Sequence, residues 1–262
     1  MIDARGLVLG YRERVVLRDV TFALHAHELV AIVGPNGSGK STLLRALGGT
    51  LTPQAGSVAI DGTPSHALDG DERARRVAFV PAEEHADDDV LVREAVELGR
   101  FPHRPWWQWG AQPEDTPLVD AALARLYLEP FAERRIATLS SGERQRVWLA
   151  AALAQGAPTL LLDEPTSHLD LAGAYAALDT LHALAEDGAA IAVVLHDLNL
   201  AGSSADRLVL VGDGTVLADG PVSDVFRSDL LTRAYGAEIA VHHTNDGALV
   251  AVPSRRTRGE RR

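Results

Sequence analysis

Apolar residues fall in short runs separated by turns and polar stretches, and the form of each run differs along the chain. Between residues 5 and 33, short Val, Leu and Ile segments alternate with polar positions, the pattern of strands near the edge of a mixed sheet. ELVAIV at 28–33 is the first nearly continuous apolar run and leads directly into GPNGSGKST at 34–42. In the LLRALGG that follows, Leu43, Leu44 and Leu47 share one face of a predicted helix. Further strands are predicted at 57–60 (SVAI), 76–80 (RVAFV), 159–163 (TLLLD), 190–195 (AIAVVL) and 207–211 (RLVLV). Helical patterns separate these runs, so the buried strands are expected to pair in parallel in an α/β arrangement.

The region between the strands at 76–80 and 159–163 is mainly helix-forming, with helices expected from about Leu118 to Leu128 and from Gly142 to Ala154. Its middle, FPHRPWWQWGAQPEDTP, is rich in Pro and aromatic residues and interrupts the helical pattern. An inserted helical lobe fits this better than a second strand–helix repeat. The glycine loop also has no second copy, which argues against an internal duplication of its site.

Composition narrows the chemistry. The 262 residues are 46% hydrophobic and 23% charged, as in ordinary globular chains. The absence of Cys excludes disulfides, thiolate zinc sites, cysteine-ligated iron–sulfur clusters and a cysteine nucleophile. No run of 18 apolar residues is present, and the N-terminus lacks the apolar core and cleavage site of a signal peptide. A net charge of −11 opposes broad association with nucleic acid. The final segment 253–262, PSRRTRGERR, is basic and is expected to be a flexible solvated tail, with a headgroup or partner contact as the alternative. Of the 25 basic Lys and Arg residues, Lys40 is the only lysine, and it lies inside the glycine loop.

Gly34, Gly39, Lys40 and Ser41 occupy the defining positions of a GxxxxGK[ST] phosphate loop between a strand and a helix. Glycines let the backbone approach phosphate oxygens closely, and the following helix points its positive end at them. Gly34, Pro35, Asn36, Gly37, Ser38, Gly39, Lys40, Ser41 and Thr42 are thus the candidate phosphate-binding residues. Lys40 is expected to bridge β and γ oxygens and Ser41 to ligate Mg²⁺. The strand TLLLD then supplies Asp163 as a Mg²⁺ ligand, and Glu164 stands next to it to orient or polarise a water. These roles describe hydrolysis of ATP.

The phosphate loop, LSSGERQ at 139–145, LLLDEP at 160–165, SHLD at 167–170 and His196 recur in the order found in the ATP-binding subunits of ABC transporters, which this chain resembles over most of its length. The resemblance implies a RecA-like P-loop ATPase core with an N-terminal antiparallel β region and an inserted helical subdomain at approximately 82–158, all within one ATP-binding domain spanning 1–252. It also implies ATP and Mg²⁺ as ligands, and a sandwich in which Ser140, Ser141, Gly142 and Glu143 face ATP held by Lys40 of a second ATPase subunit. Asp170 resembles the residue that contacts the other subunit, His196 the switch histidine that positions water beside Glu164, and Tyr11 the residue that stacks on adenine. On local pattern alone, LSSGE and Asp170 read as helix caps, His196 as a strand-end hydrogen bonder and Tyr11 as a sheet-packing residue.

Two positions depart from the family pattern. Ser141 stands where a second glycine is usual, and Ala82 stands where a glutamine usually follows a segment resembling FVP. Ala82 can neither ligate Mg²⁺ nor contact water; either Glu83, or less favourably Glu84, compensates, or both are exposed members of the acidic run ending at Asp89. The segments VREAVELGRFPH, LSSGERQRV, LLLDEPTSHLDL and VLHDLNLA resemble most the ATPases of importers for iron-siderophore complexes, haem and cobalamin. That resemblance implies two permease subunits, an extracytoplasmic substrate-binding protein acting through them, no nucleic acid partner, and a peripheral location on the cytoplasmic face of the membrane. A permease segment is expected to dock near 82–104, with Trp106, Trp107 and Trp109 either nearby or forming a local cluster. The alternatives are a soluble ABC ATPase of macromolecular assembly or repair, and a catalytically impaired ATP-dependent interaction module.

Overall fold

The continuous apolar runs become the strands buried on both faces. The structure is a computed structural model and describes residues 1–82, 89–105, 107–108, 112–245 and 247–254. Its strands are β1 (Ile2–Tyr11), β2 (Arg14–Leu24), β3 (Glu28–Val33), β4 (Ala55–Ile60), β5 (Thr63–Pro64), β6 (Val77–Val80), β7 (Thr159–Asp163), β8 (Ala190–Val194), β9 (Arg207–Gly212), β10 (Thr215–Pro221), β11 (Ile239–His243) and β12 (Leu249–Pro253). The α-helices are α1 (Lys40–Leu47), α2 (Gly70–Arg76), α3 (Val92–Glu97), α4 (Thr116–Arg125), α5 (Ser141–Gln155), α6 (Leu171–Glu186), α7 (Leu198–Ser204), α8 (Val222–Val225) and α9 (Ser228–Tyr235).

Among the described residues, six strands form one sheet in the order β10-β9-β3-β8-β7-β6. All its neighbours pair in parallel except β9 and β10. Every residue of β7 and β8 is buried, which explains why neither run alternates with polar residues. The two-residue period instead divides β3 between two cores. Leu29, Ala31 and Val33 pack on the side of α3 to α6, while Val30 and Ile32 pack on the side of α1 and the N-terminal strands. Leu43, Leu44 and Leu47 of α1 are fully buried in that second core. Each contributes on the order of 2 kcal/mol by leaving water.

The N-terminal strands depart from the mixed-sheet edge that their alternation predicts and form the antiparallel region that the resemblance implies. β2, β1, β4 and β5 form an antiparallel sheet of their own. Their alternating pattern allows one face to be buried and the other solvated, and the short connection from Tyr11 to Arg14 favours antiparallel self-pairing.

Helices α3, α4 and α5 lie between β6 and β7. Helix α4 stops at Arg125, short of the expected Leu128, because Tyr127 turns the chain with a left-handed φ of 57°. The Pro-rich segment is anchored by ionic contacts. Asp115, 5% exposed, accepts hydrogen bonds from Arg100 Nε and Arg104 Nε, both at 2.8 Å, and Arg100 Nη1 donates to the Ala154 carbonyl at 2.9 Å. Burial raises the Asp115 pKa, but the two guanidinium groups outweigh it and hold the carboxyl below its ordinary value. A depressed folded-state pKa gives stability that is present above the unfolded value and lost as pH falls through the folded one. Asp115→Asn is therefore expected to cost about 3 kcal/mol at neutral pH. Urea unfolding should show the gap between variant and wild type closing as pH drops below the ordinary carboxylate range.

The described C-terminus contains a β11–β12 hairpin that the sequence pattern does not announce. Strand β12 runs to Pro253, so the strand enters the segment expected to be tail, and residues 255–262 lie outside the described residues. Among the described residues no helix is long and apolar enough to cross a membrane.

Candidate nucleotide site

Parallel pairing brings the ends of β3, β7 and β8 to one edge of the sheet. Residues 34–39 leave β3 there and re-enter the fold as α1. Gly39 has φ 106°, and a Cβ on it would stand 2.8 Å from Leu17 Cγ, so glycine is required by both conformation and space. Within an α-helix the first-turn N–H groups have no carbonyl partner, which leaves those of Lys40, Ser41 and Thr42 aimed at the loop. Lys40 is 4% exposed, and its Nζ donates to the carbonyls of Gly34 at 2.8 Å and Pro35 at 3.1 Å. Burial lowers its pKa, and the charges of Glu164 and Asp163 pull it partly back. The Ser38 amide closes the turn by donating to Pro35 O at 3.2 Å.

Ser41 Oγ donates to Asp163 Oδ1 at 3.0 Å across 122 residues of sequence. Asp163 is 1% exposed, and burial raises its pKa despite the Ser41 hydrogen bond. A hydroxyl and a buried carboxylate are hard oxygen donors that suit Mg²⁺, which binds through few protein ligands together with phosphate oxygens and water.

Glu164 follows at the tip of β7 with φ 56°, a strained conformation for a non-glycine residue that costs about 1–2 kcal/mol. Its amide donates to Val194 O at 3.2 Å, which sets it beside the end of β8. His196, two residues past that end, places Nε2 2.5 Å from Glu164 Oε1. Tyr11, Asn36, Gly37, Gly39, Lys40, Ser41, Thr42, Glu164 and His196 line one groove of about 520 Å³. Arg14 and Val16 line it too, and sequence reasoning passed over both, although their place just after Tyr11 was the available signal. Tyr11 is 45% exposed and accepts a hydrogen bond from Arg45 at 3.4 Å.

Ser140, Ser141, Gly142, Glu143 and Asp170 line a different pocket, of about 420 Å³, so a single chain does not bring them to Lys40. Ser140 caps α5: its Oγ accepts from the Glu143 amide at 3.2 Å and donates to Glu143 Oε2 at 2.8 Å, while the Ser140 amide donates to the same carboxylate oxygen at 2.7 Å. These bonds hold the Glu143 pKa below its ordinary value. The Ser141 side chain is accommodated at the exposed first position of the helix. Gly142 has less room, since a Cβ there would meet His168 O at 3.0 Å and Leu169 Cδ2 at 3.2 Å. Gly142→Ala is expected to push the 168–170 loop outward and slow steady-state ATP hydrolysis roughly tenfold. Nucleotide titration should show unchanged binding at the Lys40 groove. Asp170 caps α6, accepting from the Gly173 amide at 2.7 Å. Ala82 lies just after β6, Glu83 and Glu84 lie outside the described residues, and so do Trp106 and Trp109, while Trp107 is 65% exposed.

A parallel sheet that delivers a lysine loop and an acidic pair to one edge, with helices inserted ahead of the acidic strand, defines a P-loop nucleoside triphosphatase. Residues 17–167 match the ABC transporter family. The chain is 46% identical to the hemin import ATP-binding protein HmuV of Nocardia farcinica over 260 residues, covering 97% of this chain and 89% of that protein. Its fold matches a metal-chelate type ABC transporter in an inward-facing conformation with a TM-score of 0.85 at 25% identity, over 97% of this chain and 98% of the other. It also matches a dimeric ATP-binding cassette bound to ADP and Pi with a TM-score of 0.75 at 31% identity, over 85% and 99% of the two chains. The chain belongs to the ABC transporter family, as an ATP-hydrolysing subunit.

Proposed function

We propose that two copies of this chain sandwich two ATP molecules and drive import of a metal chelate or corrinoid, foremost haem or an iron-siderophore complex. The observation that carries the sandwich is the division of the site: Lys40, Glu164 and His196 line one groove, and Ser140 to Glu143 line another. A two-fold axis would bring each groove to the other subunit's pocket. Residues 34–42 then hold the phosphates, Tyr11 stacks on adenine, and the first turn of α5 caps the γ-phosphate of the partner's ATP. Ser140 Oγ, now donating to Glu143, turns to that phosphate. Glu164 polarises the attacking water, His196 fixes the Glu164 carboxylate, and Asp170 contacts the opposite subunit. Ser41 and Asp163 would hold Mg²⁺, which when bound neutralises charge on the β and γ oxygens.

The cargo reading is supported by the resemblance to a hemin-import ATPase and to a metal-chelate type transporter. In it the subunit sits peripherally on the cytoplasmic face beneath two permease subunits, and an extracytoplasmic binding protein delivers cargo to them. Proteoliposomes containing permease, binding protein and this ATPase test it. ATP-dependent uptake of haem, cobalamin or an iron-siderophore complex is the expected result. Active ATP hydrolysis without uptake of any of them overturns the cargo assignment.

A further inference from the structure

The hairpin β11–β12 is fastened on two sides. Val241 and Ala251 face each other across it, and both direct their amide N–H groups away from the ladder. That of Val241 donates to Ser228 Oγ on α9 at 2.8 Å. That of Ala251 donates to Asn199 Oδ1 on α7 at 2.8 Å, and Asn199 Nδ2 returns a longer bond to Ala251 O at 3.4 Å. Ile239 adds a second tie to α9 by donating to Thr232 Oγ1 at 3.0 Å. The hairpin thus links α9 to the first turn of α7.

That first turn begins beside the site. Asp197, the residue after His196, caps α7 by accepting from the amides of Asn199 at 2.8 Å and Leu200 at 3.2 Å. The far side of the turn is buried through Leu200 and Ala201. His196 reaches Glu164 at 2.5 Å with 44% of its side chain exposed. The backbone that carries it runs from β8 directly into the Asp197 cap of α7.

We infer that Asn199 is a positioning residue: by strapping the start of α7 to the C-terminal hairpin, it holds the peptide that carries His196 and so the imidazole against Glu164. The inference rests on the role proposed above for His196. It assigns a task in ATP hydrolysis to β11 and β12, which lie far from Lys40 in sequence and, among the described residues, line neither pocket.

A double-mutant cycle on the full-length chain tests it, with steady-state and single-turnover ATP hydrolysis as readouts. Asn199→Ala is expected to lower kcat on the order of tenfold while KM for ATP stays within roughly twofold, since the phosphate loop is untouched. Asn199→Asp keeps the acceptor for the Ala251 amide and loses the donor, so its kcat should fall between wild type and Asn199→Ala. Added to His196→Ala, either substitution should cost nothing further. Unchanged kcat in Asn199→Ala, or an equal loss with and without His196, overturns the strap. Should Asn199→Ala fail to show a cooperative melting transition, Asn199→Asp carries the same cycle and the same criteria. Full activity in His196→Ala would remove the reading of the site itself, whereas an impaired His196→Ala beside a normal Asn199→Ala removes only the strap.

Discussion

Glu164→Gln is expected to cut ATP hydrolysis by roughly two to four orders of magnitude while ATP remains bound. Gln preserves the side-chain length and can still accept from His196 Nε2, which stands 2.5 Å from Glu164 Oε1. It removes the negative charge to which the proposed mechanism gives the polarisation of water. The substitution also leaves the left-handed backbone at φ 56° as it is, because Gln suffers the same steric strain there as Glu. In the proposed site the phosphates rest on residues 34–42, and among the described residues Glu164 makes no hydrogen bond to any of them. The variant should therefore hold ATP long enough for a stable dimer to be seen by sedimentation velocity. Near-normal turnover would place the water-activating group elsewhere.

The second large effect is expected from Lys40→Arg, which changes no formal charge. Lys40 Nζ occupies a buried position 2.8 Å from Gly34 O and 3.1 Å from Pro35 O, close under the loop that it would bridge to phosphate. A compact ammonium on a flexible stem fits there, whereas a planar guanidinium needs width and presents its donors in a rigid fork. Hydrogen bonds to charged groups are worth about 1.5–3 kcal/mol, so ATP affinity should fall roughly ten- to hundredfold and turnover with it. Calorimetric titration with ATP reads this directly. Wild-type affinity would mean that the one lysine of the chain reflects composition and not the demands of its position.

Some of this was legible before any coordinates. Strands β3, β7, β8 and β9 could be read because a strand buried on both faces in a parallel sheet must be apolar throughout. The phosphate loop could be read because its glycines, lysine and serine have to follow one another on a single turn. The resemblance then carried Ser140, Asp170 and His196 beyond their bland readings as caps and strand ends. In the structure Ser140 and Asp170 are the helix caps that local pattern predicts, and a side chain that closes a helix start stands where that start could face a ligand, as the proposed sandwich requires.

Other features had no local signature. The N-terminal strands alternate in a way that suits an edge strand or a separate sheet equally, and only the partners available in space decided for the separate antiparallel sheet. Tyr127 is bulky and sits mid-pattern, yet its left-handed turn ends α4 early. β11 and β12 are short, and the side chains that fasten them, Ser228 of α9 and Asn199 of α7, lie well before them in the chain.

By itself the sequence determined the elements whose cause lies within a few residues: buried strand runs, the phosphate loop, helix caps and the order of the motifs. Tertiary structure alone decided which of them meet. Ser41 finds Asp163 across 122 residues and Asn199 finds Ala251 across 52, through pairings that no local spacing encodes. It also decided that the α5 cap and Lys40 open into separate pockets of one chain. Periodicity specifies which face of an element is apolar, but the choice of the face that covers it depends on the packing of the whole chain.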